Sequence, residues 1–375
     1  MSSAAVASVL AIAIAAVIYV SRRPKPALQA AQLFCIVKPW AGTQLAPTYN
    51  HYYWLADNEA LIVPDVDQHG AGSLFRVGLD ADGKARLPVP LALSLPVTAG
   101  ETLSISPNGR YVATIDTTAK PGGAMQNYLC VRALDGKMLV KCTCASTSIG
   151  ALAWSKDSAS VVAMENQPKA NLKRVLISTR HVENIALPAD LRFTKDENGA
   201  ILGFTDHGTV LLGGQGLVAQ DRDFFGPAST ELGRSKVTHP HAELVELSMD
   251  GRAKIVRRLS LPAPPGAEYG FIVLSPKGDR LFWGTLCGSK PSPLEVWLHR
   301  YLSFVPGDET ATEQGWVSRV DGTEMKELGF YEIPSGQPST ANPAGPPWII
   351  DPKWTPDGKR ISFIYKDRLL TVPAE

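Results

Sequence analysis

The chain has 375 residues, with 37 basic and 36 acidic side chains and a formal net charge of +1, a balance that excludes the basic footprint of a nucleic-acid binder. A hydrophobic content of 45% excludes disorder for the body of the chain, and 32 glycines with 29 prolines suit many strands joined by tight turns. Five cysteines, odd in number and sparse, do not form a disulfide framework.

Residues 4–20 carry one serine and no charge. At ~1.5 Å per residue this run approaches the ~30 Å hydrocarbon core of a bilayer. Residues 1–21 are therefore expected to be an uncleaved N-terminal transmembrane helix, followed by a basic linker over 22–31. A cleaved signal sequence is the alternative. Against it, nothing basic precedes the run, and Ala27-Leu28-Gln29-Ala30 is a poor cleavage site.

From residue 32 the chain is repetitive, and internal repeats decide architecture before local propensity does. A short apolar strand, a Ser/Thr-Pro-x-Gly turn and a second apolar strand recur. They read Leu103-Ser-Ile-Ser-Pro-Asn-Gly-Arg-Tyr-Val-Ala113, then Phe271–Trp283 around Ser275-Pro-Lys-Gly278, then Lys353–Phe363 around Thr355-Pro-Asp-Gly358. Looser copies are Leu152–Val162, Tyr53–Val63 and Ile201–Leu212. Proline presets φ at the second turn position and glycine accepts positive φ at the fourth, so each copy predicts a hairpin. A second hairpin follows, marked by Asp-Gly at 82, 135, 250 and 321. Each repeat is thus four antiparallel strands, A to D, and such repeats around an axis make a propeller.

The first-hairpin turns fall near 57, 106, 155, 206, 275 and 355, which predicts an all-β, six-bladed β-propeller over 32–375. A seventh blade inside 206–275 is the alternative count. The last repeat ends on strand C at Arg368–Val372, and the orphan Gln32–Val37 is expected to supply its fourth strand and close the ring, which removes exposed sheet edges.

The motif Trp354-Thr-Pro-Asp-Gly-Lys-Arg-Ile361, with Ser275–Gly278 and Ser106–Gly109, resembles the TolB-type (WD40-like) propeller repeat. The resemblance covers most of 45–375. It implies a six-bladed propeller and, in many relatives, a protein-binding scaffold of the bacterial envelope. It also argues for a periplasmic or extracytoplasmic propeller, whereas Arg22, Arg23 and Lys25 after the apolar run argue for a cytoplasmic one. The envelope placement is the reading adopted. Similar repeats precede the hydrolase domain of prolyl-oligopeptidase-like enzymes, but no Gly-x-Ser-x-Gly elbow occurs here.

No residue set reads as catalytic, and no cofactor or metal is expected. His239-Pro240-His241 lacks a third ligand nearby; Asp65, Asp67 and His69 lack EF-hand spacing; Gly213–Gly216 lacks the Lys-Ser/Thr of a P-loop. Cys130 and Cys142 flank Asp135-Gly136 and could bridge in an oxidising compartment; idle thiols are the alternative. The long connections read as B–C segments, over 64–72, 116–126, 165–172, 215–240 and 286–314, and extra loop length on one face points to function. The two largest belong to adjacent repeats and carry Arg222, Phe224, Phe225, His239, His241, Trp297, His299, Tyr301 and Phe304, where aromatics and arginine suit an interface. The expected function is a membrane-anchored, non-catalytic scaffold binding a protein or peptide partner on this face. The alternative is a propeller enzyme, or a small-ligand or sugar binder, with a site at the axial mouth.

Overall fold

The turn that ends each first strand sets the geometry of the repeat. In the computed structural model, Ser106 N–H donates to Tyr111 O (2.9 Å) and Gly109 N–H to Ser106 O (2.8 Å). The Ser106 hydroxyl accepts Tyr111 N–H (2.9 Å) and donates to Asn108 Oδ1 (2.8 Å). The same backbone pair of bonds closes the turns at Ser155, Ser275 and Thr355, while the Thr205 turn closes one residue sooner, with Thr205 N–H donating to Thr209 O (2.9 Å). A hydroxyl at the first position is thus part of the turn, capping backbone that would otherwise be unpaired. The fourth position is left-handed throughout, with φ of 67° at Gly109, 76° at Gly208, 71° at Gly278 and 69° at Gly358. Ser158 takes that place in the third repeat at φ 60°, and its hydroxyl accepts Asn108 N–H from the turn next door (3.1 Å).

The structure describes residues 31–35, 51–56, 60–66, 71–77, 89–96, 103–144, 149–165, 171–189, 191–193, 200–213, 217–219, 241–250, 252–262, 267–289, 297, 301, 310–333, 350–365 and 368–375. Strand β1 is Ala31–Cys35. The first sheet follows, β2 (His51–Trp54), β3 (Ala60–Val66), β4 (Ala71–Val77) and β5 (Val89–Pro96). The second is β6 (Ser104–Ile105), β7 (Tyr111–Ala119), β8 (Met125–Ala133) and β9 (Met138–Cys144), and the third is β10 (Ile149–Trp154), β11 (Ser160–Glu165), β12 (Asn171–Leu176) and β13 (Val182–Ala186). After β14 (Leu191–Phe193) come β15 (Ala200–Phe204), β16 (Val210–Gly213), β17 (Leu217–Ala219), β18 (His241–Ser248) and β19 (Lys254–Pro262); the fourth sheet is β15, β16, β18 and β19. The fifth is β20 (Ala267–Leu274), β21 (Arg280–Ser289), β22 (Thr310–Arg319) and β23 (Lys326–Ile333). The sixth is β24 (Ile350–Trp354), β25 (Arg360–Tyr365), β26 (Arg368–Pro373) and, on its outer edge, β1. All six are antiparallel; the first five run as meanders, and the sixth takes its outer strand from the N-terminal part of the chain. β1 pairs with β26 through Ala31↔Thr371, Phe34↔Leu369 and Cys35↔Arg368.

First strands of successive sheets pack against one another, β2 on β6, then β10, β15, β20 and β24. Between neighbouring sheets lie the apolar cores: Val131, Trp154 and Val161 between the second and third, Met164, Leu172 and Val245 between the third and fourth, and Leu211, Leu274 and Trp283 between the fourth and fifth. The last sheet meets the first. Ser362 in β25 hydrogen-bonds the Tyr52 hydroxyl (2.8 Å) and accepts Trp54 Nε1–H (2.8 Å). Lys353 Nζ sits 4.8 Å from the Tyr52 ring centre and 5.0 Å from that of Tyr53.

Several expectations are corrected. The segment 116–126 is not a long loop. β7 and β8 run on in register to Ala119↔Met125, and Lys120 N–H donates to Ala124 O (2.7 Å) across a turn with Gly122 at φ 99° and Gly123 at φ 83°; Thr117 and Thr118 prolong the strand because β-branched residues suit the pleat. The 286–314 insertion is shorter than read, since β21 and β22 stay paired out to Ser289↔Thr310. Cys130 and Cys142 do not bridge. Leu129 lies opposite Cys142 and Cys130 opposite Lys141, so the two thiols point to opposite faces of the second sheet, and both are free. The described residues of 206–275 form no four-stranded sheet beyond the fourth. β14 and β17 pair as a two-stranded ladder, Leu191↔Ala219 to Phe193↔Leu217. It joins the connection before the fourth sheet to the B–C segment within it, so the two lie on one face.

Candidate functional site

The residue that precedes each first turn is Trp54, Ile105, Trp154, Phe204, Leu274 or Trp354, one from every sheet. All six line a single axial cavity of about 530 Å³, together with Ser106, Pro107, Lys156, Ser275, Pro276 and Pro356 of the turns. That volume falls within the range of ligand pockets, ~300–1,000 Å³. Its walls are held from outside. Trp154 Nε1–H donates to Ser104 O of the second sheet (3.2 Å) and Trp354 Nε1–H to Val273 O of the fifth (3.1 Å). With Trp54 on Ser362, each indole therefore bonds the sheet that precedes it around the ring. The turns at the mouth are tied as well. Asp206 N–H donates to Gly278 O (3.1 Å), and the Lys156 ammonium, reaching from the third turn to the fifth, donates to Lys277 O. A Cβ on Gly278 would lie 2.3 Å from Phe204 O and 2.6 Å from the Thr205 carbonyl carbon, so only glycine admits this approach of two turns.

Among the described lining residues Lys156 is the one charged side chain. The buried ion pairs do not line the cavity. Arg132 pairs with Asp116 and donates to Thr114 Oγ1 (2.7 Å) within the second sheet. Lys173 pairs with Glu165 (2.8 Å) and reaches Thr143 O of the neighbouring sheet (2.6 Å). Glu246 takes Arg257 together with the Thr205 and Thr209 hydroxyls. Burial opposes ionisation of Glu246, but the bonds from Thr209 and Arg257, the arginine charge and the Thr205 bond outweigh it and hold its pKa below the ordinary value. These satisfied pairs join strands and sheets.

Cys130 and Cys144 are poor nucleophiles. Burial, followed by the nearby Asp116 carboxylate, pushes Cys130 up to about 12, and burial pushes Cys144 up to about 12 against the opposing charge of Lys173. A thiol in that range stays protonated at neutral pH. Among the described residues no group of three or more His, Cys, Asp or Glu side chains is placed to hold a metal ion.

Of the residues read from sequence as a binding face, the structure brings Trp297 and Tyr301 together. Their ring centres are 5.2 Å apart at 54°, and they are 53% and 71% exposed. His241 opens β18 and pairs with Pro262. Arg222, Phe224, Phe225, His239, His299 and Phe304 lie outside the described residues, as do Asp67 and His69. The cavity residues Trp54, Trp154, Lys156 and Trp354 were not read as functional from sequence. Their signal was the tryptophan before the turn, which marked the repeat without revealing that it faces the axis.

Four-stranded antiparallel sheets set side by side among the described residues, with first strands around one cavity and the last sheet bonded to the first, define a β-propeller. No family model matches the sequence, and no curated protein does. Among solved structures the chain is similar to TolB from Acinetobacter baumannii, at 12% identity over 84% of this chain and 65% of that one, with a TM-score of 0.41. It is also similar to a chain of the mitotic checkpoint complex, at 9% identity over 94% of this chain and 96% of the other, with a TM-score of 0.44. A third likeness is the PQQ domain of pyranose dehydrogenase from Coprinopsis cinerea, at 10% identity over 86% and 92%, with a TM-score of 0.42. The chain spans about two thirds of the length of the TolB chain.

Proposed function

We propose that the protein is a membrane-anchored, non-catalytic six-bladed propeller that holds a protein or peptide partner on the face carrying its B–C segments. The observation that carries this reading is the Trp297–Tyr301 pair, two large rings in contact and largely exposed. Monomeric surfaces rarely leave paired aromatics in water, whereas interface anchors are enriched in them. Anchoring as a single-pass protein rests on the uncharged run over 4–20, and placing the propeller on the extracytoplasmic side rests on the resemblance of its repeat motif to that of envelope scaffolds. Among the described residues no helix is long and apolar enough to cross a membrane, and residues 1–30 lie outside them.

The test is a photo-crosslinker placed at Tyr301 in the full chain, in cells. A discrete protein adduct that disappears with Trp297→Ala is the expected result; no adduct, or one unchanged by Trp297→Ala, overturns the docking reading. A second reading, a small ligand at the axial mouth, is favoured by the cavity lined by all six sheets, and the two sites are at different places on the ring.

A further inference from the structure

We propose that the axial cavity binds a small aromatic or apolar carboxylate, its body between the indole walls and its carboxylate on Lys156. This rests on the small-ligand reading of the cavity and names the ligand class. The argument is one of elimination by hydrogen-bond inventory. All three wall indoles have spent their N–H groups, Trp54 on Ser362, Trp154 on Ser104 O and Trp354 on Val273 O, so they offer the cavity carbon faces alone. The turn hydroxyls are committed too. Ser106 Oγ bonds Asn108 and Tyr111, and Ser275 Oγ bonds Asp279 (2.8 Å) and the N–H groups of Asp279 and Arg280. A sugar, which needs a polar partner for most of its hydroxyls, finds few here.

Lys156 differs from these groups. An ammonium has three donors, and its bond to Lys277 O uses one. It stands at the mouth, with no carboxylate among the described lining residues to neutralise it. One point charge matches a monoanion. A phosphate dianion is ordinarily met by several cationic or backbone N–H donors, and the described lining residues include no second cation. The bland role of Lys156, a strap holding the third turn to the fifth, and this role share one side chain but differ in outcome. A strap affects stability alone, whereas an anion anchor sets which ligands bind.

The experiment titrates phenylacetate and indole-3-acetate, with phenylacetamide and indole-3-acetamide as neutral isosteres, into the purified full chain in detergent. The readout is the indole N–H resonances of Trp54, Trp154 and Trp354. Acids are expected to shift these resonances with affinity about tenfold or more above the amides. Lys156→Met should abolish that preference and Lys156→Arg should retain it. Equal affinity of acid and amide, or a preference that survives Lys156→Met, overturns the assignment of Lys156 while the cavity remains a site. No shift with any of the four compounds at concentrations on the order of 10 mM, where fragments of this size register in a true pocket, overturns the cavity reading and this inference together.

Discussion

The two ends of the sheets are built on different principles. At the axial end, four of the described turns share one geometry and a fifth closes one residue sooner, and their residues bond to one another across the ring, Asn108 to Ser158, Asp206 to Gly278 and Lys156 to Lys277. At the other end the connections vary in length from one sheet to the next, from the tight 120–124 turn to the 290–309 segment with its exposed aromatic pair. Identical turns allow neighbours to touch in a repeating way, so the axial end closes into a rigid rim. Variable connections have no such constraint and are free to carry recognition. The same substitution should therefore cost much more at one end than at the other.

Glycine to alanine is the sharpest form of that comparison. Gly278 and Gly122 both hold positive φ, 71° and 99°. At Gly278 the added carbon meets backbone at 2.3 Å, which a flexible side chain cannot relieve, whereas at Gly122 it meets nothing within 4 Å. Gly278→Ala is expected to cost on the order of 4 kcal/mol, as strain and the loss of the turn-to-turn contact combine. Gly122→Ala should cost about 1–2 kcal/mol, the backbone term by itself. Urea unfolding of both variants measures the difference; equal costs would mean that the rim is not the rigid part.

Ring closure is the next test, because it depends on one small hydroxyl. Ser362 receives Tyr52 and Trp54 from the first sheet and donates to Lys353 O (3.0 Å). Tyr52 is fully buried, so Ser362→Ala leaves its hydroxyl without this partner, and Lys353 over the Tyr52 ring can compensate only in part. A loss of about 2 kcal/mol is expected, read from urea unfolding of the variant beside wild type. Stability within a few tenths of wild type would place the closure elsewhere, on the β1–β26 pairing.

Much of this was legible in the sequence, and the reason is chemical. Ser-Pro-x-Gly fixes a turn through proline's φ, the hydroxyl and the glycine, so the turns at 106, 275 and 355 could be read directly. The degraded turn at 155 could be read because Asp157 still accepts Ala159 N–H (2.9 Å) and the hydroxyl still caps the strand. The orphan strand near 32 was found by counting strands, and β1 pairs with β26. Loop lengths were overestimated at 116–126 and 286–314, since Thr-rich and Gly-containing stretches read as breakers until a partner strand extends alongside them. A site at the axial mouth could be raised from the fold as an alternative, but the residues that line the axial cavity were not legible. Residues 54, 105, 154, 204, 274 and 354 converge only through the ring, and no local pattern reports a distance between residues 50 or 80 positions apart. Trp297 and Tyr301 were read as binding-face candidates from the length of their segment, and their contact belongs to tertiary structure.

The rim has an ionic tie that acid should release, between Glu246 and Arg257, and this is the smallest expected effect. Glu246 gathers the Thr205 and Thr209 hydroxyls of the fourth turn onto Arg257. Burial raises its pKa, the hydrogen bonds and the arginine lower it, and the lowering wins. A carboxyl whose folded pKa lies below its unfolded value, ~4.3 for glutamate, contributes stability that is complete above that value. The contribution is lost as pH falls through the folded pKa. Glu246→Gln keeps the threonine bonds but not the charge, so it should cost about 1 kcal/mol at pH 7. At pH 3 the gap between variant and wild type should narrow, because the wild-type carboxylate is itself approaching protonation. Denaturant midpoints measured for both proteins from pH 7 to pH 3 test this. A gap that stays constant would assign the cost to packing, and the rim would then be held by its backbone bonds without ionic help.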